Sequence, residues 1–244
     1  TEGIDIVMAL DISGSMLAED FKPNRLEAAK KVAKNFIGAR PNDRLGLVVF
    51  AGESFTQCPL TTDHSVILNL FADVKSGMLE DGTAIGMGLA SSIKRLKDSK
   101  AISKVVILLT DGDNNSGSIA PATAAEIAKE FGVRVYTIGV GTRGTAPFPT
   151  VDPFGRTHYQ DMEVKINEEL LTRLAEMTGG QYFRATDNKS LQSVYEEIDE
   201  LEKSKIDVTE YRKRKEEYLP FAIAALLLLA CEVLLKQTVL RSIV

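Results

Sequence analysis

Apolar positions along the chain fall into two patterns: short uninterrupted runs, and longer stretches in which apolar residues recur every three or four positions. The uninterrupted runs are typical of strands buried on both faces of a parallel sheet, and the spaced pattern is typical of amphipathic helices. Because the two kinds of segment alternate, we predict an α/β fold built on a doubly wound, mostly parallel six-stranded sheet. Strands are predicted over 4–10, 45–50, 53–58, 105–109, 133–138 and 181–185, and helices over 25–37, 63–71, 84–96, 120–131, 168–177 and 187–203.

One segment interrupts this alternation. Between 139 and 161 the periodicity lapses and Gly and Pro accumulate, and the sequence Asp-Pro-Phe-Gly at 152–155 is a turn signal. We therefore predict a hairpin inserted near 144–161. Its aromatic residues Phe148 and Phe154 suit a contact surface, and coverage of a sheet edge is the plainer alternative.

The end of the chain changes character twice. A strongly charged stretch at 204–218 is followed by an apolar run at 219–235 in which Glu232 is the only charged residue. A run of this length spans roughly 25 Å as a helix, which is at the short limit for a bilayer. We predict a charged juxtamembrane linker, a transmembrane helix and a short tail at 236–244, with a buried soluble helix as the alternative.

Composition narrows the classes of function. The net charge of −5 argues against a nucleic-acid partner. Cys58 and Cys231 are too few for a disulfide framework, and His64 and His158 are too few and too isolated for a zinc site. The sequence starts at Thr1 and a core strand follows almost at once, so we expect a further N-terminal segment in the whole protein.

Candidate chemistry lies where the first predicted strand ends. Asp11 follows the apolar run, and Ser13 and Ser15 come at alternating positions after it. Gly14 allows the backbone to curl so that three oxygen ligands can converge. Hard oxygen donors without His or Cys suit Mg²⁺, Mn²⁺ or Ca²⁺, although a strand-to-helix turn with capping serines has the same pattern.

Two later segments complete the pattern. Thr83 precedes the predicted helix at 84–96, and Asp111 follows the apolar strand at 105–109. With the first loop, these stretches resemble the metal-ion-dependent adhesion site of von Willebrand factor type A domains. A threonine at the start of a helix is otherwise an N-cap. The resemblance implies a divalent-metal site, with Mg²⁺ first and Mn²⁺ or Ca²⁺ as alternatives, whose ligands are Asp11, Ser13, Ser15, Thr83 and Asp111.

The resemblance covers 1–203 and has consequences for the fold. Type A domains order their strands 3-2-1-4-5-6, which puts strands 1 and 4 side by side at the crevice where open α/β sheets bind ligands. Asp11 and Asp111 end those two strands. The family also implies a non-catalytic module whose metal accepts a Glu or Asp carboxylate from a protein partner.

Further motifs resemble one branch of that family. The segment Asn24–Lys30, the Pro-Phe-Gly turn, the Gly-Gly pair at 179–180 and the C-terminal apolar run are similar to the bacterial Bat aerotolerance proteins, in particular to BatA-like members. This similarity implies a protein of the bacterial inner membrane, with its domain in the periplasm, acting in envelope stress or aerotolerance. The basic residues on the domain side of the apolar run favour the alternative, a domain in the cytoplasm. It also implies assembly with other type A membrane proteins and a MoxR-type AAA+ ATPase.

Two other functions stay open on the sequence. Haloacid-dehalogenase-type phosphatases keep a nucleophilic Asp at the end of strand 1, but they need a second carboxylate two residues later, where Ser13 stands. The alternatives are a metal-dependent phosphohydrolase that uses Asp11 and a passive structural membrane scaffold. It is also open whether metal ligation moves the last predicted helix, 187–203, or leaves it a rigid stalk.

Overall fold

The computed structural model describes residues 3–152, 154, 156–216 and 218–238, and the chain divides into two compact units, Thr1–Asp199 and Glu200–Val244. The strands are β1 (Asp5–Asp11), β2 (Arg44–Phe50), β3 (Ser54–Thr61), β4 (Lys104–Thr110), β5 (Arg134–Val140), β6 (Thr145–Val151), β7 (Thr157–Glu163) and β8 (Tyr182–Ala185). The helices are α1 (Arg25–Gly38), α2 (His64–Asp73), α3 (Ile85–Leu96), α4 (Pro121–Glu130), α5 (Glu168–Met177), α6 (Asn188–Glu216) and α7 (Tyr218–Thr238).

Six of the strands form one sheet in the order β3-β2-β1-β4-β5-β8, which is the predicted order with β8 as the last strand. Five of them run parallel, and β3 pairs antiparallel with β2 at one edge. Every residue of β1 is buried, as is every residue of β4 after the first. Such strands have no solvent-facing side, which explains why they are apolar runs without alternation.

The edge strand β3 is longer than the sequence predicts. It continues through Pro59 to Thr61, beyond the predicted end of the strand at residue 58. The proline is tolerated because β3 lies at the edge of the sheet, where its pairing with β2 is already irregular on both sides of Leu47.

Side-chain caps fix where several helices begin. Asn24 accepts a hydrogen bond from the Glu27 backbone N–H at 2.8 Å ahead of α1, and Asn167 caps α5 in the same way. Helix α3 differs, because Ala84 occupies its N-cap position and no side chain caps it. The Thr83 hydroxyl therefore does not serve as a helix cap, and this oxygen is available for another role.

Close packing of α3 against the sheet depends on a glycine. A Cβ atom at Gly88 would lie 2.6 Å from the ring of Phe50 on β2, so a larger residue would push the helix away. The apolar face of α6 within the first unit is also buried, as its pattern predicts. Its buried residues are Leu191, Val194, Tyr195 and Ile198.

Strands β6 and β7 form a separate two-stranded antiparallel sheet in the segment where the sequence predicts a hairpin. Ala146 pairs with Met162 and Phe148 with Gln160, so these four side chains share one face of the hairpin. The whole of β7 is exposed. Phe154, between the two strands, is 85% exposed.

The second unit contains the end of α6 and α7. Helix α6 continues through Glu216, so most of the charged stretch at 204–218 is helical. In α7, the described apolar side chains at 221–230 are exposed. Among the residues that the structure describes, no helix is both long and apolar enough to cross a membrane, so the transmembrane helix predicted over 219–235 is not found there.

Candidate metal centre

Two of the predicted ligands lie at the carboxyl ends of neighbouring strands. Asp11 is the last residue of β1, and Asp111 directly follows β4. The two strands are parallel and in register, with Leu10 opposite Leu109. The strand order reverses at β1, so both carboxylates lie at the crevice where open α/β sheets bind ligands.

Asp11 is completely buried. One of its carboxylate oxygens accepts a hydrogen bond from the Ser13 backbone N–H at 2.9 Å, and the other accepts one from the Thr110 hydroxyl at 2.6 Å. Burial, followed by repulsion from Asp111, raises the pKa of Asp11 to about 7. A divalent cation would favour the ionised form of both carboxylates.

The two serines connect this loop to Asp111. The hydroxyls of Ser13 and Ser15 lie 3.1 Å apart, and the Ser15 hydroxyl donates to Oδ1 of Asp111 at 2.7 Å. Asp11 joins the same group through the Ser13 backbone. The structure therefore places four of the five predicted ligands in one hydrogen-bonded cluster.

Thr83, the fifth predicted ligand, lies beside Asp111. It is buried, and its hydroxyl lies 3.5 Å from the position of a Cβ atom built on Gly112, the residue after Asp111. The Thr83 carbonyl accepts a hydrogen bond from the Asn115 N–H at 3.0 Å, and its own N–H donates to the Asn115 side chain at 2.8 Å. These bonds fasten the segment before α3 to the loop after β4.

A further hydrogen bond connects the segment before α3 to the loop after β1. The Gly14 N–H donates to the carboxylate of Asp81 at 2.9 Å, two residues before Thr83. The three loops that carry the predicted ligands are therefore all joined to one another by direct hydrogen bonds.

Two residues that the sequence reasoning missed complete the cluster. Arg25 donates to Oδ2 of Asp111 at 2.7 Å and holds both oxygens of Asp20 at 2.8 and 2.7 Å. The side chains of Arg25 and Asp20 are only 4% and 3% exposed. The one signal in the sequence is the place of Arg25 in the first turn of α1, where the helix dipole disfavours a cation unless an anion lies nearby.

The guanidinium of Arg25 sets the charge balance around Asp111. Burial raises the pKa of Asp111, and the charge and hydrogen bond of Arg25 offset part of that increase. Burial also opposes ionisation of Asp20, but hydrogen bonds from Arg25 and from the Thr142 N–H outweigh it and hold the Asp20 pKa below its ordinary value. Arg25 thus fixes Oδ2 of Asp111 and leaves Oδ1 directed at Ser15.

A cavity of about 280 Å³ opens over this cluster. Of the predicted ligands, Ser15, Thr83 and Asp111 line it, whereas Asp11 and Ser13 are connected to it through Ser15. Neither His64 nor His158 belongs to the lining. The hairpin and the segment after it supply much of the rest, namely Ala146, Phe148, Met162, Glu163, Val164 and Lys165.

The donor set fits a hard divalent cation. Two carboxylates and three hydroxyls offer oxygen alone, which suits Mg²⁺, Mn²⁺ or Ca²⁺ better than a metal that prefers nitrogen or sulfur. Within the described part of the chain, no group of three or more His, Cys, Asp or Glu side chains is arranged to hold a metal ion. The predicted site contains only two residues of these types, Asp11 and Asp111. Its other three candidate donors are the hydroxyls of Ser13, Ser15 and Thr83.

Comparison with known families covers nearly all of the first unit. The family model of the von Willebrand factor type A domain matches residues 5–197. The chain belongs to the von Willebrand factor type A family. All five predicted ligands, together with Arg25 and Asp20, lie inside this VWA domain.

Two solved structures resemble the VWA domain in both sequence and fold. The crystal structure of the conserved hypothetical protein BatB from Bacteroides thetaiotaomicron is 31% identical with a TM-score of 0.70, and the match covers 82% of this chain and 100% of that one. An aerotolerance-related membrane protein from Bacteroides fragilis is 30% identical with a TM-score of 0.68, over 80% of this chain and 98% of that one. These matches confirm the resemblance to the Bat proteins.

Curated relatives are longer than this chain. An uncharacterized protein from Borreliella burgdorferi is 29% identical over 242 residues, which are 99% of this chain and 71% of that protein. A UPF0353 protein from Nocardia farcinica is 29% identical over 212 residues, and the match covers 80% of this chain and 62% of that protein. The VWA domain is therefore one part of the relatives that it matches.

Proposed function

We propose that this VWA domain is a non-catalytic module that binds protein partners through a divalent cation. The cation, Mg²⁺ first with Mn²⁺ or Ca²⁺ as alternatives, would be held by Asp11, Ser13, Ser15, Thr83 and Asp111. When bound, it supplies a coordination position that an Asp or Glu carboxylate of a partner protein can fill. The proposal is carried by two buried carboxylates and three hydroxyls gathered beside an open cavity.

The electrostatics of the site support a cation. Asp11 and Asp111 are both buried and both have raised pKa values, and the single positive charge of Arg25 is shared between Asp111 and Asp20. A divalent cation would compensate the remaining negative charge. Without it, the pair is expensive to keep ionised.

The geometry favours binding over catalysis. Asp11 occupies the position that a phosphatase nucleophile would take, but its carboxylate is completely buried and both oxygens accept hydrogen bonds. A nucleophile needs access to its substrate, and the general acid expected two residues later is replaced by Ser13. A phosphohydrolase is therefore the weaker alternative, and phosphatase activity that disappears in Asp11→Asn would establish it.

The relatives suggest a cellular setting. The similar protein from Bacteroides fragilis is an aerotolerance-related membrane protein, so we propose membrane association and a role in aerotolerance or envelope stress for this chain. We also propose assembly with other VWA membrane proteins and a MoxR-type AAA+ ATPase. Placement of the domain in the periplasm stays a prediction, and a passive membrane scaffold is the alternative to a binding role.

Calorimetric titration of the full chain with Mg²⁺ and Mn²⁺ tests the metal site. We expect one ion per chain, and we expect binding to be lost in Asp11→Ala and weakened in Thr83→Ala while the circular dichroism spectrum is unchanged. Thr123→Ala is the matched control, because this exposed threonine lies on α4 outside the site. Unchanged metal affinity in both site variants would refute the assignment of ligands.

Capture experiments test the binding role. The full chain, immobilised with Mg²⁺, is exposed to solubilised membranes, and capture is compared with that in a chelator and with that by Asp11→Ala. We expect the same proteins to be lost in both comparisons, because each removes the cation. Partners that persist in both would show that the interaction uses another surface.

A further inference from the structure

The hairpin β6–β7 forms part of the wall of the metal-site cavity. Phe148 on β6 and Met162 on β7 line this cavity together with Ser15, Thr83 and Asp111. The hairpin face that carries both side chains is therefore turned toward the metal centre. An apolar wall and a polar, carboxylate-rich end thus belong to one cavity.

Hydrogen bonds hold the hairpin in place beside the loop after β1. The Glu19 N–H donates to the Pro147 carbonyl at 2.8 Å, and the Tyr159 hydroxyl donates to the Glu19 side chain at 3.0 Å. Asp20, which Arg25 links to Asp111, accepts from the Thr142 N–H at 2.8 Å just before β6. Both strands of the hairpin are thus positioned relative to the candidate metal ligands.

The apolar side chains of this wall are not fully covered by the chain itself. Met162 is 42% exposed and Phe148 is half-buried, although both are large hydrophobic residues beside a polar site. Apolar surface rimmed by polar groups is typical of a binding site. Their exposure beside the candidate metal site favours a partner that brings an apolar side chain.

The charged residues at the rim of the cavity do not strongly favour a partner of either charge. Lys165 and Glu163 are both well exposed and pair with each other at 2.9 Å. Asp113 accepts a hydrogen bond from the Asn167 side chain at 3.0 Å and leaves one negative charge at the rim. Because Asp113 is negatively charged, the alternative is a partner that has basic residues beside its acidic residue.

The size of the cavity is compatible with side chains from a partner. The cavity over the candidate metal site measures about 280 Å³ and opens to solvent. This space can hold one or two side chains from a protein surface.

We propose that the hairpin sets the specificity of the metal centre, which accepts an Asp or Glu directly flanked by an aliphatic or aromatic residue. The carboxylate completes the coordination of the cation, and the flanking apolar side chain packs on Phe148 and Met162. This inference rests on the proposed function, because it assumes that the cation accepts a partner carboxylate.

An array of immobilised peptides tests the preference. Each peptide has a central Glu, Asp or Gln, and its neighbours are Leu, Phe, Ser or Lys; the full chain is applied with Mg²⁺ or with a chelator. We expect signals about tenfold stronger for Leu or Phe beside the acid than for Ser, as burial of one apolar side chain predicts. The signal should vanish with Gln at the centre and in the chelator.

Three variants connect the preference to the hairpin. Phe148→Ala and Met162→Ala should each reduce binding to the Leu- and Phe-flanked peptides about tenfold, while calorimetric Mg²⁺ affinity is unchanged. Phe154→Ala is the matched control, because this aromatic residue on the same hairpin is 85% exposed and does not line the cavity. Met162→Ala alone suffices if Phe148→Ala fails to fold, because Met162 is 42% exposed on a two-stranded hairpin outside the main sheet.

The outcomes separate this inference from the proposed function. Signals that need both Mg²⁺ and the central acid but are indifferent to the neighbours, or stronger with Lys, would overturn the inference and leave the proposed function standing. Absence of any signal that depends on the metal and the acid would overturn both. Apolar preference that survives in both hairpin variants would overturn the role of Phe148 and Met162.

Discussion

Arg25 contacts two buried carboxylates at once, and neither Asp20 nor Asp111 has another guanidinium beside it in the described bonds. The side chain therefore holds together the loop after β1 and the loop after β4. It acts as a positioning residue, because it orients Asp111 through one oxygen and leaves the other toward the site. The two buried carboxylates are compensated by the positive charge of Arg25.

Replacing Arg25 tests this role. Arg25→Gln should lower the free energy of unfolding by about 3–5 kcal/mol, since it leaves two buried carboxylates uncompensated. It should also weaken Mn²⁺ binding about tenfold or more, as loss of a residue that orients a ligand usually does. Urea unfolding and calorimetry measure the two effects.

The matched control is Lys22→Gln. Lys22 is 77% exposed and lies 4.0 Å from Glu19 in the same loop, so its loss should change stability by less than about 0.5 kcal/mol. If Arg25→Gln changes metal affinity no more than Lys22→Gln does, Arg25 has a structural role alone.

Asp11 makes the stability of the metal-free domain depend on pH. Its pKa is about 7 in the folded chain and about 3.9 when unfolded, so the folded state binds more protons between these values. The contribution of Asp11 to stability is therefore full below pH about 4 and is lost as the pH rises through about 7.

Asp11→Asn isolates this contribution. In a chelator, the stability of the variant relative to the native chain should rise between pH 5 and 8, because the amide has no charge to desolvate. Urea unfolding at the two pH values measures the difference. A difference that is constant with pH would show that Asp11 is not buried as a carboxylate.

The sequence predicted five site residues but not the two that support them. Asp11, Ser13, Ser15, Thr83 and Asp111 are predicted because their order and spacing resemble a known metal site. Asp20 and Arg25 could not, because a charged pair five residues apart in a polar segment usually lies in solvent. Only the fold shows that both side chains are buried and that Arg25 joins Asp20 to Asp111.

The packing of helix α3 against strand β2 determines the position of Thr83, because Thr83 lies directly before α3. The helix approaches the sheet at Gly88, opposite the ring of Phe50. Any displacement of α3 would move the candidate ligand at its N-terminus as well.

Gly88→Ala tests the tightness of this contact. The new methyl group would meet Phe50 at 2.6 Å, and such overpacking costs about 1–3 kcal/mol, which outweighs the gain of up to about 1 kcal/mol in helix propensity. We expect a net loss of stability in urea unfolding. Gly38→Ala is the control, because nothing lies within 4 Å of its Cβ position on α1; it should be neutral or stabilising, and equal effects would refute the contact.

Strands and helices are predicted correctly where burial determines the pattern of apolar residues. Their ends are missed where a local feature departs from the usual sequence rules. The strands at 105–109 and 133–138 were found because buried strands leave no polar position. The end of β3 was missed because Pro59 normally stops a strand, and only its place at an irregular edge permits it. Helix α6 is longer than predicted because charged residues continue it without an apolar face to signal them.

At the scale of the whole molecule, bound metal should raise thermal stability. A ligand at 100 times its dissociation constant adds about 2.7 kcal/mol to the free energy of unfolding, which corresponds to a rise in Tm of about 5 to 10 °C for a domain of this size. Calorimetric scans with Mg²⁺ and with a chelator measure this. Asp11→Ala should show no rise, and an equal rise in that variant would place the ion elsewhere.

The overall architecture was predictable in part. Alternation of strands and helices gives the α/β class, whereas the strand order came from the family resemblance and not from periodicity. The membrane-spanning helix predicted over 219–235 is not found among the residues that the structure describes. The place of the hairpin beside the metal site had no signal in the sequence, since it depends on hydrogen bonds between segments far apart along the chain.

The direct bonds between the three ligand-bearing loops have a kinetic consequence. Asp81 joins Gly14, Asn115 joins Thr83, and Ser15 joins Asp111 through hydrogen bonds between protein groups alone. We therefore expect these loops to be ordered by the fold itself, so that loading of an ion is limited by exchange of its water shell. Stopped-flow mixing should accordingly show a loading rate that rises in proportion to ion concentration, with no plateau from a slow rearrangement of the chain.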